Sequence, residues 1–432
     1  MPLSKPLPDA RAVALGTAPD RDRAVDVARL AALLVVMFGH CALLLATIDT
    51  GGLRIGNLLG ERPALAPITW VVQVMPLFFL AGGAAGAYGW RDGTTWGSWL
   101  FSRAQRLCRP VFWYLAAWCV GLLIVRAALG AESAAGIGRE CVALLWFLGV
   151  YLVVLAFVPA LTRLRTGRAV TALVVSLLAA AAAVDVVRFA VGSAWAGIVN
   201  FLIVWLIPVV IGVAYARRLI DARVALAVAA SVLAAQILLA AAGPYDVSLV
   251  VTGTERVSNV TPPTLLLALH CTWMSCLFVA AAGAVRRWAA RPRVWHVVAV
   301  GNGGAMTLYL WHIPAIAIAT FAMHALGLDA YDVDAQGFWG LLALRAVVFA
   351  AVMTAMFFAL SPLEHRRLPW WDTVVRSTGT CAVLSGVLVC VAGVALVGLA
   401  KTGLDGVTGA LMLVSFVGAL AAARVCAGAS KS

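Results

Sequence analysis

Charge is what this chain has least of: Asp, Glu, Lys and Arg together make up 12% of its 432 residues, against about one-quarter in soluble domains. Hydrophobic residues account for 63%, more apolar surface than a soluble core could hide, and that excludes a soluble fold. The common signatures of metal, nucleophilic and phosphate chemistry are missing as well. There is no H-E-x-x-H, no G-x-S-x-G and no Walker loop. The nine cysteines show no C-x-x-C spacing. They lie mostly in apolar stretches, as small packing residues do, and no metal or redox centre is expected from them. Residues 1–24 carry Pro, Arg and Asp but no apolar run, so they are no signal peptide and are expected to form a disordered cytosolic tail.

What is abundant is the apolar window of about 20 residues, the length that crosses a bilayer as a helix. Twelve are read, at 27–48, 68–90, 109–129, 141–161, 168–188, 196–216, 222–242, 262–285, 302–324, 338–361, 377–400 and 405–426. The expected fold is therefore an all-α integral membrane protein of about twelve transmembrane helices. The net charge of +13 would suggest a nucleic-acid partner in a soluble protein, but here the arginines alternate from loop to loop. One set of loops holds Arg103, Arg106 and Arg109, then Arg163, Arg165 and Arg168, Arg217, Arg218 and Arg223, Arg286, Arg287, Arg291 and Arg293, and Arg366 and Arg367. The other set is poor in them and includes Asp329, Asp332 and Asp334. The positive-inside rule then predicts a multi-pass protein of the inner (plasma) membrane with both termini cytoplasmic and no nucleic-acid partner.

Ionisable residues inside such windows are costly, about 3 kcal/mol each on insertion scales, and they mark functional sites by default. Eleven positions separate Arg29 from His40, which at ~100° per residue is ~1100°, three turns plus ~20°. Both side chains lie on one helix face, with the imidazole ~16 Å deeper. Asp26 sits one turn before Arg29, where it can pair with the guanidinium and hold it inward. Arg103 and Arg106, three apart, are neighbours on a helical face, and Arg109 extends the row. Such a row fits either a solvated topology signal or a polyanion such as the phosphates of coenzyme A. His312 lies near the middle of the ninth window beside Pro314. There it is either a core histidine bonded to a freed carbonyl or a catalytic one. Glu364, with Arg366 and Arg367 behind it, either neutralises them or has a role of its own. Arg345, about two turns inside its window, either snorkels outward or faces a cavity. His270 reads as structural.

These residues carry a resemblance. Arg29 to His40 is similar to the Arg-x10-His signature of the membrane-bound acyltransferase-3 family (O-acyltransferase type), and Arg103-x-x-Arg106 to its Arg-x-x-Arg signature. The stretch from Met75 to Gly83 resembles the family's Pro-Leu-Phe-Phe block, and Leu145 to Leu152 its Leu-Trp-Phe-Leu block. Tyr309 to Pro314 resembles the late Tyr-Leu-x-His-x-Pro motif, and Ser361 to Glu364 the end of the tenth span. The set runs in the family's order over about residues 24–370. It implies an acyltransferase membrane domain at 25–370, a ten-helix core, followed at 371–432 by two further helices and a short cytosolic tail. Two departures stand out: Ala81 and Gly82-Gly83 replace the more usual Ser-Gly, and the last two helices exceed the core.

The resemblance implies transfer of an acyl group, usually acetyl, from cytosolic acyl-CoA (acetyl-CoA), a co-substrate, to a hydroxyl or amine of a carbohydrate, lipid-linked or secondary-metabolite acceptor. No metal is implied. Membrane lipids are the surrounding partners. His40 would act as general base or acyl carrier, Asp26 would tune it, Arg29 would orient the thioester or stabilise the oxyanion, and Arg103 and Arg106 would hold the coenzyme phosphates. A twelve-span secondary transporter is the alternative. Such transporters commonly show a repeat between halves, and the Asp26, Arg29 and His40 face of window 1 has no counterpart in window 7.

Overall fold

In hydrocarbon every backbone polar group must find its partner within the chain, and long apolar stretches therefore fold as helices. A computed structural model describes residues 10–18, 20–49 and 52–428. It contains twelve helices long and apolar enough to cross a membrane: Arg23–Leu43, Pro63–Tyr88, Trp96–Ala128, Gly130–Leu155, Gly167–Val191, Ala194–Ala216, Ala222–Ala242, Leu265–Ala289, Ala305–His324, Phe338–His365, Gly379–Thr402 and Gly406–Gly428. They are called the first to twelfth spans below. The chain is an all-α multi-span membrane protein, as the twelve apolar windows predict. The ends of the second, sixth and eighth spans meet the start of the first, where Tyr88 and Tyr215 donate to Asp22 and Arg286 lies 3.9 Å from it, so these Arg-rich loops gather at one end of the bundle.

Two local departures shape the site. The first span starts under an Asp22 side chain that accepts from the Ala24 amide at 3.0 Å, and it stops at Leu43. From there Leu44–Asp49 pairs with Gly52–Asn57 as an antiparallel hairpin, Leu44 opposite Asn57. The window read at 27–48 thus ends as a strand. The third and fourth spans turn back on each other at Gly130, whose φ of 85° is open to glycine at no steric cost.

Part of the segment expected to be a disordered tail is placed on the bundle, which corrects that expectation for residues 10–18 and 20–24. Ala10–Leu15 is helical, Trp295 Nε1 donates to Thr17 Oγ1 at 2.6 Å, and the Arg23 guanidinium lies 4.7 Å from the Trp295 ring centre. Residues 1–9 lie outside the described residues.

The eleventh span packs against the third, fourth and twelfth. Its approach to the fourth depends on glycine at both contact points. A Cβ on Gly149 would stand 2.4 Å from the Gly393 carbonyl oxygen, and one on Gly393 2.8 Å from that of Gly149. Small residues are what let two helix backbones come this close in a membrane.

Candidate functional site

His40 occupies the last turn of the first span and His312 lies about two turns into the ninth, 272 positions away in sequence. Asn302 Nδ2 donates to the Asp26 carbonyl at 2.9 Å, and this sets the start of the ninth span beside the first turns of the first. Ten residues on, the two imidazoles meet. His40 Nδ1 and His312 Nε2 are 3.0 Å apart, with the rings 16° from parallel.

The tautomers follow from the next partner. His312 Nδ1 lies 2.7 Å from the Tyr309 carbonyl oxygen, which only accepts, so this nitrogen carries the proton. In a neutral ring Nε2 is then an acceptor, and the His40 Nδ1–H donates to it. His40 Nε2 is left bare. His312 is fully buried, whereas His40 is half-buried and lines a cavity of about 380 Å³ together with Gln73, Trp146, Phe147, Tyr309 and Lys401. The Tyr309 hydroxyl is taken up by the Leu144 carbonyl at 2.6 Å. The two readings left open for His312 thus combine: it is a core histidine bonded to a carbonyl, and it also orients His40.

Toward the Arg-rich end, Asp26 does pair with Arg29, at 3.7 Å. Its stronger partner is one the sequence reading missed. Arg21 binds it with two nitrogens, at 2.6 and 3.2 Å, and this bidentate grip raises the Arg21 guanidinium above its ordinary value. Asp26 stands fourteen residues, ~21 Å, from His40 along the helix. The expectation that it tunes the imidazole is therefore corrected. The same geometry takes Arg29, ~16 Å away, out of reach of an oxyanion formed at His40.

The arginine row divides. Arg103 is half-buried, 4.3 Å from the Trp99 ring centre, with only long contacts at 3.4 Å to the Ala85 and Gly86 carbonyls. Arg106 is exposed. Arg109 is committed elsewhere, to Asp372 at 3.1 Å and the Glu364 carbonyl at 3.0 Å. Tyr151 is within electrostatic reach of both the Arg103 and the Arg29 guanidinium. Gly82 faces it: a Cβ there would come within 2.5 Å of the Tyr151 hydroxyl. This is a physical reason for glycine at position 82, within the stretch where the chain departs from the Ser-Gly pattern. Phe147, one turn before Tyr151 on the fourth span, touches both the Tyr151 and Tyr309 rings at 5.7 and 5.6 Å between centres. A continuous row of aromatic rings thus runs from the arginines to the His40 cavity.

Of the two readings of Arg345, snorkelling is excluded: it is 1% exposed and donates from Nη2 to the Cys41 carbonyl at 2.6 Å. There a cation meets the C-terminal carbonyls of the first span, beside His40. Glu364 does not neutralise Arg366 and Arg367. Its Oε2 accepts from Thr307 N at 2.9 Å and Thr307 Oγ1 at 2.8 Å, closing the N-terminal turn of the helix that carries His312. His270, as expected, is structural, buried with Nε2 2.7 Å from the Gln73 carbonyl. Among the described residues no group of His, Cys, Asp and Glu is placed to hold a metal ion.

Residues 22–363 match the family model of an acyltransferase domain, Acyl_transf_3. The chain belongs to the acyltransferase-3 family. No curated protein and no solved structure matches it. The family decides between the two classes left open by the sequence: this membrane protein is an acyltransferase and not a transporter. In the acyltransferase the matched region ends in the last turn of the tenth span, so the eleventh and twelfth spans lie outside it.

Proposed function

We propose that this acyltransferase moves an acyl group, acetyl in the first instance, from cytosolic acyl-coenzyme A to a hydroxyl or amine of a carbohydrate, lipid-linked or secondary-metabolite acceptor, with His40 at the point of transfer. The observation that carries the reading is the histidine pair: a bare His40 Nε2 facing a cavity, its ring held by His312 and the Tyr309 carbonyl. As a general base, Nε2 takes the acceptor proton while the acceptor oxygen or nitrogen attacks the thioester carbonyl. The tetrahedral adduct collapses, the C–S bond breaks, and the coenzyme thiolate leaves with the proton returned from the imidazolium. As an acyl carrier, the same nitrogen would attack first and hand the acyl group on. Both roles need the same bare nitrogen.

The donor enters from the Arg-rich end, where Arg103, Arg106 and Arg29 are incompletely paired and their forks fit phosphates. Arg29 serves that path and not the oxyanion. The decisive assay incubates purified protein with labelled acetyl-coenzyme A and scores both free coenzyme and acylated product; coenzyme release with no acceptor dependence would overturn transfer. A rapid acid quench tests for labelled protein, expected only on the carrier route. This reading puts the Arg-rich loops, and both termini, on the cytoplasmic side of an inner membrane, as the positive-inside rule expects. Reporter fusions after Arg223 should report cytoplasm and fusions at Asp332 the outside, and the reverse result would invert the donor path.

A further inference from the structure

The His40 cavity has a neighbour. A cleft of about 530 Å³, in the size range of small-molecule sites, runs between the fourth, sixth and eleventh spans. Its walls are apolar: Val150, Val153, Phe201, Leu202, Val394 and Val397, with Trp195 at the rim. Two residues, Thr261 and Lys401, line both this cleft and the His40 cavity. A lysine at a helix end ordinarily snorkels to the interface and needs no ligand. Here the ammonium sits where the apolar slot meets the His40 cavity, 3.5 Å from Thr261 Oγ1 and with no carboxylate in ion-pair distance among the described residues. Arg139 adds a second cation at the same end, its backbone packed on Gly403. Glu140 lines the His40 chamber but not the cleft, so negative charge falls on the chamber side and positive charge at the junction.

We propose that the acceptor is an anionic amphiphile taken from the bilayer: its alkyl chain lies in the cleft, its phosphate meets Lys401, and its hydroxyl-bearing head reaches His40 Nε2. The proposal rests on His40 as the transfer centre. It also gives the eleventh span a task. Lying outside the family-matched region, that span supplies Val394, Val397 and Lys401 to the site and is held against the fourth span by the Gly149–Gly393 approach.

The test uses the full-length protein in detergent with two photoreactive probes, dodecyl phosphate and dodecanol, each with a diazirine at the chain end, and maps the labelled peptides. The phosphate probe should label 150–154, 194–202 and 394–397. Lys401→Ala should cut that labelling roughly tenfold, the scale of one lost charge-assisted contact, and leave dodecanol labelling unchanged. Val394→Trp, at a lipid-exposed wall position, should reduce both probes. Labelling spread evenly over the lipid-facing helices, or unchanged in Lys401→Ala, overturns the proposal. So does displacement by millimolar inorganic phosphate, which would mean a site for a soluble anion. Labelling does not require turnover. Normal labelling in a His40→Ala protein keeps the amphiphile site even if the acetyl-coenzyme A assay fails, and lost labelling with intact transfer to a tailless acceptor removes the site while keeping the transferase chemistry.

Discussion

At the Arg-rich end of the first span, Asp26 is held by Arg21 and Arg29, and Asp22 accepts from the Tyr88 and Tyr215 hydroxyls at 3.0 and 2.6 Å. About four turns along the same helix, His40 meets a second imidazole and lines a cavity. The first arrangement ties the first span to the second and sixth and leaves its carboxylates saturated. The second leaves one basic atom unspent. The difference separates residues that fix geometry from those free to meet a ligand, and it divides residues of the same type: Arg109 is saturated and Arg103 is not.

The sharpest way to break this comparison is to remove the free nitrogen. His40→Ala should lower acyl transfer by about 10²-fold or more, the usual scale for a lost general base, with binding of a non-transferable acyl-coenzyme A analogue nearly intact. His312→Ala should cost less, because the base remains but its tautomer is no longer imposed. The pH–rate profile separates this from simple misfolding: an altered apparent pKa in a stable His312 variant marks a positioning role, and an unchanged profile at reduced yield would mean packing alone.

Next in size is the division among the arginines. Arg103→Ala should weaken binding of the same analogue by ~1–3 kcal/mol, the scale for hydrogen bonds to a charged partner. Arg106→Ala should do so more weakly and with more salt dependence, since it is exposed. Arg109→Ala should instead lower thermal stability, leaving Asp372 and the Glu364 carbonyl without their donor. Equal affinity loss in all three would mean a diffuse field and no phosphate site.

Much of the fold was legible because hydrocarbon leaves a chain few choices: twelve apolar windows, twelve spans. The end of the first span was not, since Leu44, Leu45, Ala46 and Ile48 are apolar in either a helix or a strand and a short apolar run does not distinguish them by periodicity. In the site, helical arithmetic placed Arg29 and His40 on one face but could not say what His40 meets, because His312 arrives through tertiary packing from 272 residues away. Arg345 and Glu364 were noticed as ionisable, and neither could be assigned for the same reason. Their partners, the Cys41 carbonyl and Thr307, are distant in sequence and leave no local pattern. Tyr151 stood inside a motif block without a role of its own, and Lys401 read only as a loop charge.

A smaller effect is expected from Glu364, which acts on the site only through a helix end. Glu364→Ala removes the acceptor for Thr307 N and should cost ~0.5–2 kcal/mol, the range for a lost N-terminal cap, read as a lower melting temperature. Glu364→Gln keeps an acceptor oxygen and should restore most of it. If both variants lose transfer equally with unchanged melting, the carboxylate itself takes part in the chemistry, and the contrast between saturated and free groups fails at this residue.

The smallest effect concerns the Arg-poor loop that borders the His40 cavity through Val250, Val251 and Val260. Burial disfavours the charge on Glu255, but hydrogen bonds from the Thr252 hydroxyl at 2.6 Å, the Gly253 amide at 2.7 Å and the Thr252 amide at 3.0 Å outweigh it, so the carboxyl is held below its ordinary value of 4.5. A carboxyl whose pKa is lower folded than unfolded contributes stability that is fully present above the unfolded value and is lost as pH falls through the folded one. Hydrogen-exchange protection of residues 250–256 should therefore hold down to about pH 4.5 and fall below it. Glu255→Gln should remove this pH dependence, because the neutral amide has no proton to gain. Loss of protection in that variant at the same pH would assign the transition to another group and detach the loop from Glu255.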